Sequence, residues 1–98
     1  MIRVALPFHL RTLAQCDSEV SLEVEPPQTA LALIEALERK YPTLRGAILE
    51  HESRERRPKI RFFACKEDIS HNAMALPLPE NIVNGSEPFM IVGAISGG

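Results

Sequence analysis

Apolar and polar positions alternate with a period of two in two segments near the start of the chain. The first is "IRVALPF", from Ile2 to Phe8, and the second is "EVSLEVE", from Glu19 to Glu25. Such alternation is typical of a strand that buries one face. The segment between them can be a short loop or a helical turn, but it is too short for a parallel crossover. We therefore predict two neighbouring antiparallel strands.

The apolar period changes in "PPQTALALIEALERKYP". Apolar residues now recur at spacings of three and four, as expected for one face of a helix: Ala30, Leu33, Ile34 and Leu37. Thr29 can cap the first turn, and Pro42 prevents the helix from continuing. An apolar stripe of this kind must pack on another layer, so we predict that the helix covers a sheet.

The second half of the chain predicts shorter elements. A helical turn is indicated within Leu44–Leu49, and the charged run Glu50–Lys59 is interpreted as a solvated loop. The aromatic-rich "IRFFAC", Ile60–Cys65, predicts a third strand, and an edge strand is expected within Met74–Leu78. The segment "PFMIVGAI", residues 88–95, is nearly all apolar, which is typical of a strand in the middle of a sheet.

The predicted order is β-β-α-β-(β)-β, with no internal repeat. A hairpin, one helix across it and a late apolar strand that returns to the centre favour an α+β fold of the β-grasp type. The last strand can lie parallel to the first, because the connection between them is long and passes through the helix. Residues after Ile95 would then leave the sheet as a protruding tail.

Length and composition limit the class of protein. The chain has 98 residues, of which 45% are hydrophobic and 24% are charged, with a formal net charge of −2. These values favour one domain spanning residues 1–98 and give no sign of a nucleic-acid-binding surface. The apolar run at the end is shorter than the ~20 residues that span a bilayer. No secretory signal is recognisable, so we expect no membrane partner and a cytoplasmic location.

Cysteine and histidine offer little chemistry. Cys16 and Cys65 do not form a C-x-x-C pair, so we expect two reduced structural thiols and no metal site. His9, His51 and His71 have no spacing typical of metal ligands and are interpreted as surface residues.

Three segments in order resemble the ubiquitin-like sulfur carriers, which include the small subunit of molybdopterin synthase and the thiamine-biosynthesis sulfur carrier. They are "MIRVALPFHLRTLA", "RFFACKEDI" and "LPLPENIVNGSEPFMIVGAISGG". The terminal Gly-Gly and the strand before it are the specific part of this likeness. The resemblance implies that an ATP-dependent activating enzyme adenylates the carboxylate of Gly98, which becomes a thiocarboxylate and donates sulfide to a sulfur-acceptor synthase. Gly97 would be its neighbour in the tail.

In this role the chain would be a carrier and not an enzyme, with no cofactor of its own, because the catalytic groups belong to its partners. A carboxylate becomes open to attack only after activation as a mixed anhydride with AMP. Two glycines suit a tail that must enter narrow channels, because glycine has no Cβ and accepts φ of either sign.

Alternation also predicts which side chains lie outside the sheet. We expect Pro7, Phe63, Met90 and Val92 to form one apolar patch that leads to Ile95 and Ser96 and binds partner proteins. A shift of one residue would instead bury Phe63 and Met90. Arg11, at a position where the resembled family also has arginine, either helps to dock a partner or has an ordinary surface role.

Two other functions remain open. The chain could be a protein modifier that forms an isopeptide bond from Gly98 to a lysine, or a plain interaction module whose sheet binds a partner. Departures from the resembled family include long loops before the third strand and after Ser70, "ACK" in place of an Asn-Gly type turn, and Gly93 where proline is common. They suggest a partner other than the usual two synthases, such as a cysteine synthase.

Overall fold

A computed structural model describes residues 1–93 of the chain; residues 94–98 lie outside the described part. The strands are β1 (Ile2–Ala5), β2 (Glu19–Leu22), β3 (Ile60–Ala64), β4 (Glu67–Asp68) and β5 (Phe89–Gly93). The helices are α1 (Phe8–Ala14), α2 (Ala30–Lys40) and α3 (Glu80–Val83), and a short 3-10 helix spans Pro42–Leu44.

The five strands form one mixed sheet in the order β2-β1-β5-β3-β4. β1 is antiparallel to β2 and parallel to β5, while β3 is antiparallel to both β5 and β4. The last strand therefore returns to the centre of the sheet beside the first. This topology confirms the predicted β-grasp arrangement.

The core lies between one face of the sheet and α2. The helix begins where expected, because the Thr29 hydroxyl accepts a hydrogen bond from the Ala32 N–H at 3.1 Å. Its residues Leu33, Ile34 and Leu37 are fully buried in the cluster that contains Val4 and Phe62. Truncating such a leucine to alanine typically costs about 2–5 kcal/mol, so this layer supplies much of the fold's stability.

The predicted first strand is shorter than the alternation suggested. β1 ends at Ala5, and Pro7 precedes a helix of seven residues, α1, rather than a loop or single turn. Pro7 lacks an N–H and has a fixed φ, so it can end a strand and begin a helix. Leu10 of α1 is fully buried and anchors the helix to the core.

The edge strand predicted within Met74–Leu78 is wrong. The edge strands of the sheet are β2 and β4, and the 74–78 segment forms no strand: it makes an isolated bridge between Pro77 and Thr29 and a few backbone hydrogen bonds near the start of α2. A proline cannot donate to a ladder, which limits pairing there. The β3–β4 hairpin turns through Cys65 and Lys66, whose φ angles of 51° and 68° are both positive, as in a type I′ turn.

The solvated-loop interpretation of Glu50–Lys59 is also wrong for its three arginines, which are half-buried. Arg54 forms an ion pair with Glu38 of α2 at 2.6 Å. Arg56 donates to the carbonyls of Ser70 and Ile60, and Arg57 donates to the carbonyl of Gly46. Side chains that the sequence assigned to solvent therefore tie this segment to α2 and β3.

Candidate docking face and chain exit

The sheet face turned away from α2 carries a row of side chains that crosses all five strands. The Cα partners in this row are Glu19, Ala5, Met90, Phe63 and Asp68. Met90 is 43% exposed and lies between Ala5 and Phe63. The row is therefore apolar at the centre and acidic at both ends.

The predicted phase of alternation is confirmed on β5. Phe89 and Ile91 are buried, whereas Met90 and Val92 are exposed. Phe63 of β3 is half-buried beside Met90, and its neighbours Phe62 and Ala64 are in the core. The face thus presents apolar side chains that the sheet itself does not cover.

Two ion pairs border the apolar centre. Arg3 contacts Glu19 at 3.1 Å on the β1–β2 side, and Arg61 contacts Asp68 at 2.7 Å on the β3–β4 side. Hydrogen bonds from the hydroxyl and backbone N–H of Ser70, together with Arg61, hold the pKa of Asp68 well below its ordinary value. The Asp68 carboxylate is therefore ionised at neutral pH.

The first turn of α1 lies beyond the end of β1. Pro7 is half-buried and Phe8 is 73% exposed, the most exposed large apolar side chain among residues 1–93. The guanidinium carbon of Arg11 lies 5.3 Å from the centroid of the Phe8 ring. The Arg11 Nε is buried and has no hydrogen-bond partner within the described part of the chain. This turn combines an exposed ring with a cation held against it.

His9 lies against Gly93, the last described residue of β5. A Cβ built on Gly93 would be 2.4 Å from the His9 Cε1 and 3.0 Å from its Nδ1. The contact follows from the parallel pairing: Ala5 is opposite Met90, so the residues just after β1 reach the level of Gly93. The imidazole occupies the space that any other side chain at position 93 would need.

The structure therefore brings Phe63 and Met90 together, with Val92 on the same face, and places Pro7 and Arg11 at the end of β1. Their binding role stays a prediction. Four predicted site residues lie outside the described residues: Ile95, Ser96, Gly97 and Gly98. Neither the exposure of Phe8 nor the contact of His9 with Gly93 was predicted from the sequence. Pairing β1 in parallel with β5 places the residues after β1 beside the end of β5, and this register could have indicated both.

Other groups on the described residues show no reactive arrangement. Among residues 1–93, no three histidine, cysteine or acidic side chains are grouped closely enough to hold a metal ion. Cys16 and Cys65 are half-buried free thiols, and burial, with help from Asp17, raises the pKa of the Cys16 thiol. No helix in the described part is long and apolar enough to cross a membrane.

Known structures share this architecture. The chain superposes on SAMP1 from Haloferax volcanii with a TM-score of 0.76 and 19% identity, over 98% of this chain and 97% of that one. A chain of the Amycolatopsis orientalis BexX/CysO complex superposes with a TM-score of 0.77 and 18% identity, over 100% of this chain and 100% of that one. Mycobacterium tuberculosis CysO superposes with a TM-score of 0.75 and 20% identity, over 97% of this chain and all of that one.

No protein-family model and no curated protein sequence matches the chain. At these identities the structural likeness concerns the fold. The chain therefore has the β-grasp fold of these small solved proteins.

Proposed function

We propose that this protein is a sulfur carrier whose Gly98 carboxylate is activated by an adenylating enzyme and converted to a thiocarboxylate. The observation that carries the proposal is the position of β5. This strand is central in a β-grasp sheet, presents Met90 and Val92 on a free face, and continues in sequence directly into the segment 94–98 with its terminal Gly-Gly.

The chemistry needs little from the carrier itself. In the first step the Gly98 carboxylate attacks the α-phosphorus of ATP, forming an acyl-adenylate and releasing pyrophosphate. Hydrosulfide, or a sulfur nucleophile equivalent to it, then attacks the acyl carbon, and AMP leaves with one of the original carboxylate oxygens. The chain gains one sulfur in place of one oxygen, and the groups that catalyse both steps belong to the partner.

Docking would use the free sheet face. Apolar side chains that a monomer leaves uncovered are typical of protein interfaces, and charged side chains at the border set orientation. Here Met90, Val92 and Phe63 supply the apolar centre, and Glu19 and Asp68 lie at the two ends of the row. Arg11, with Phe8 beneath it, could pair with an acidic group of the partner.

The likeness to a chain of the Amycolatopsis orientalis BexX/CysO complex supports a protein partner for this chain. The sulfur acceptor would belong to the biosynthesis of a cofactor, such as molybdopterin or thiamine, or of an amino acid. We also propose that residues 1–98 form a single domain and that the protein acts in the cytoplasm, as expected from the sequence.

The direct test uses the purified protein, the adenylating enzyme of the same organism, ATP and hydrosulfide. We expect the intact mass to rise by the difference between sulfur and oxygen, and deletion of Gly98 to abolish the change. An unchanged mass under conditions in which ATP is consumed would contradict the proposal.

A second function is favoured by the likeness of the fold to the small archaeal modifier proteins of Haloferax volcanii and Methanosarcina acetivorans. A modifier would join its terminal carboxylate to lysine side chains of other proteins. Covalent adducts that survive denaturing gels, and that disappear when Gly98 is deleted, would favour this function over sulfide transfer.

A further inference from the structure

We propose that His9 is a positioning residue that restricts the backbone at Gly93 and so presents the segment 94–98 to the activating enzyme. The inference rests on the proposed function. It assigns a role to a histidine that the sequence alone indicates to be an ordinary surface residue.

The geometry at Gly93 carries the argument. Gly93 is the last residue of β5 and pairs with Ile60 of β3. The His9 ring lies where a Cβ at position 93 would stand, with the nearest ring atom 2.4 Å from that point. A glycine in an extended strand has more accessible conformations than any other residue, and a ring packed against its Cα removes part of that freedom.

The support for this ring comes from α1. His9 is in the first turn of a helix that the buried Leu10 anchors to the core, so the imidazole is attached to a fixed element. Hydrogen bonds from the N–H groups of Leu10 and Arg11 to the Pro7 carbonyl close the same turn. The backbone of His9 is therefore fixed by the fold, and its exposed side chain contacts Gly93.

Restriction at this point has a consequence for binding. A partner that binds residues 94–98 in a channel needs one backbone conformation at Gly93, the residue that leads into that segment. Fixing one residue's backbone has an entropic cost, and part of that cost is met in advance when His9 limits Gly93. Loss of the ring should raise the KM for the carrier about fivefold and leave kcat unchanged, because the reacting carboxylate belongs to Gly98, five residues further along the chain than Gly93.

The chain offers a matched control. His51 packs on Gly46 in the same way, with its Nε2 2.2 Å from the point where a Cβ would stand, but in the segment between α2 and β3. His9→Ala and His51→Ala each remove an imidazole from a glycine. His9→Phe keeps a planar ring at position 9 without its nitrogens.

The experiment has two arms. Without any partner, we expect backbone ¹⁵N relaxation to give a lower order parameter for the Gly93 amide in His9→Ala, and values equal to wild type in His51→Ala and His9→Phe. In adenylation assays with the activating enzyme, we expect the higher KM in His9→Ala only. Thermal unfolding of each variant detects any effect that is merely structural.

The outcomes separate the inference from the proposed function. An unchanged Gly93 order parameter in His9→Ala overturns the positioning role, whatever the carrier does. A lower order parameter with an unchanged KM, or a raised KM in His9→Phe, overturns its contribution to docking. If wild type is not adenylated at all, the proposed function fails and the docking role fails with it, while the relaxation arm still decides whether His9 restricts Gly93.

Discussion

Arg54→Ala should destabilise the protein far more than a surface arginine would. The side chain of Glu38 is only 5% exposed, and Arg54 holds it through two contacts, at 2.6 Å and 3.4 Å. Removing Arg54 leaves a carboxylate with little access to water. An unpaired buried charge is among the few changes that cost several kcal/mol.

The size of the effect follows from the burial of the two partners. Breaking a fully buried pair costs about 3–5 kcal/mol. The Arg54 side chain is 30% exposed, so water can reach the freed carboxylate in part, and we expect about 2–3 kcal/mol. For a domain of this size that corresponds to a loss of roughly 10–20 °C in melting temperature.

Three matched variants sharpen the result. Arg39→Ala removes the same charge from an exposed position beside Glu38 and should stay within about 0.5 kcal/mol of wild type. Arg54→Lys keeps the charge but loses the two-point contact, so we expect an intermediate loss of about 1 kcal/mol. Arg54 has a φ of 58°, so Arg54→Gly should be about 1 kcal/mol more stable than Arg54→Ala.

The assay is urea unfolding followed by circular dichroism, with melting temperature as a second readout. If Arg54→Ala and Arg39→Ala behave alike, with both near wild type, the charged segment is the solvated loop that its composition indicates. The anchoring role derived for Arg54 would then be refuted.

Three further effects are expected. Replacing Cys65 and Lys66 by Asn and Gly should raise the free energy of unfolding in urea by about 1 kcal/mol, because both positions have positive φ. An equal or lower value would contradict the type I′ geometry of this turn. Because folding lowers the pKa of Asp68, its ionised carboxylate stabilises the folded protein fully above the ordinary value of 3.8, and this contribution to the free energy of unfolding is lost as the pH falls. Between about pH 5 and 2, the free energy of unfolding should therefore fall more for wild type than for Asp68→Asn. An equal fall in the two proteins would contradict this role of Asp68. Met90→Glu should weaken binding to the activating enzyme about tenfold or more without changing the melting temperature. The control Thr43→Glu places the same charge at an exposed position off the sheet and should bind like wild type. Equal affinities of the two variants would rule out the sheet face as the docking surface.

Periodicity was sufficient for the main elements. The stripe of α2 and the alternation of β5 report a buried face directly, so the helix, the central strand and the exposure of Met90 could be predicted. The parallel pairing of β1 with β5 followed from the length of the connection. Each of these rests on a pattern that extends over several residues.

Features that depend on a distant partner could not be predicted in the same way. The sequence of Arg54 and its neighbours is that of a solvated run, and only the fold brings Glu38 to within 2.6 Å. Cys65 and Lys66 form a turn without the glycine or asparagine that usually marks one. His9 meets Gly93 across a parallel pair, so the contact depends on register rather than on local pattern.

The most direct measurement is the intact mass of the protein isolated from its own host under conditions that preserve thioesters and thioacids. The account predicts a population heavier by the exchange of one oxygen for sulfur, located by fragmentation at Gly98 and absent from a chain that lacks this residue. Protein that carries only the ordinary carboxylate, in cells where the activating enzyme is present and active, would contradict it.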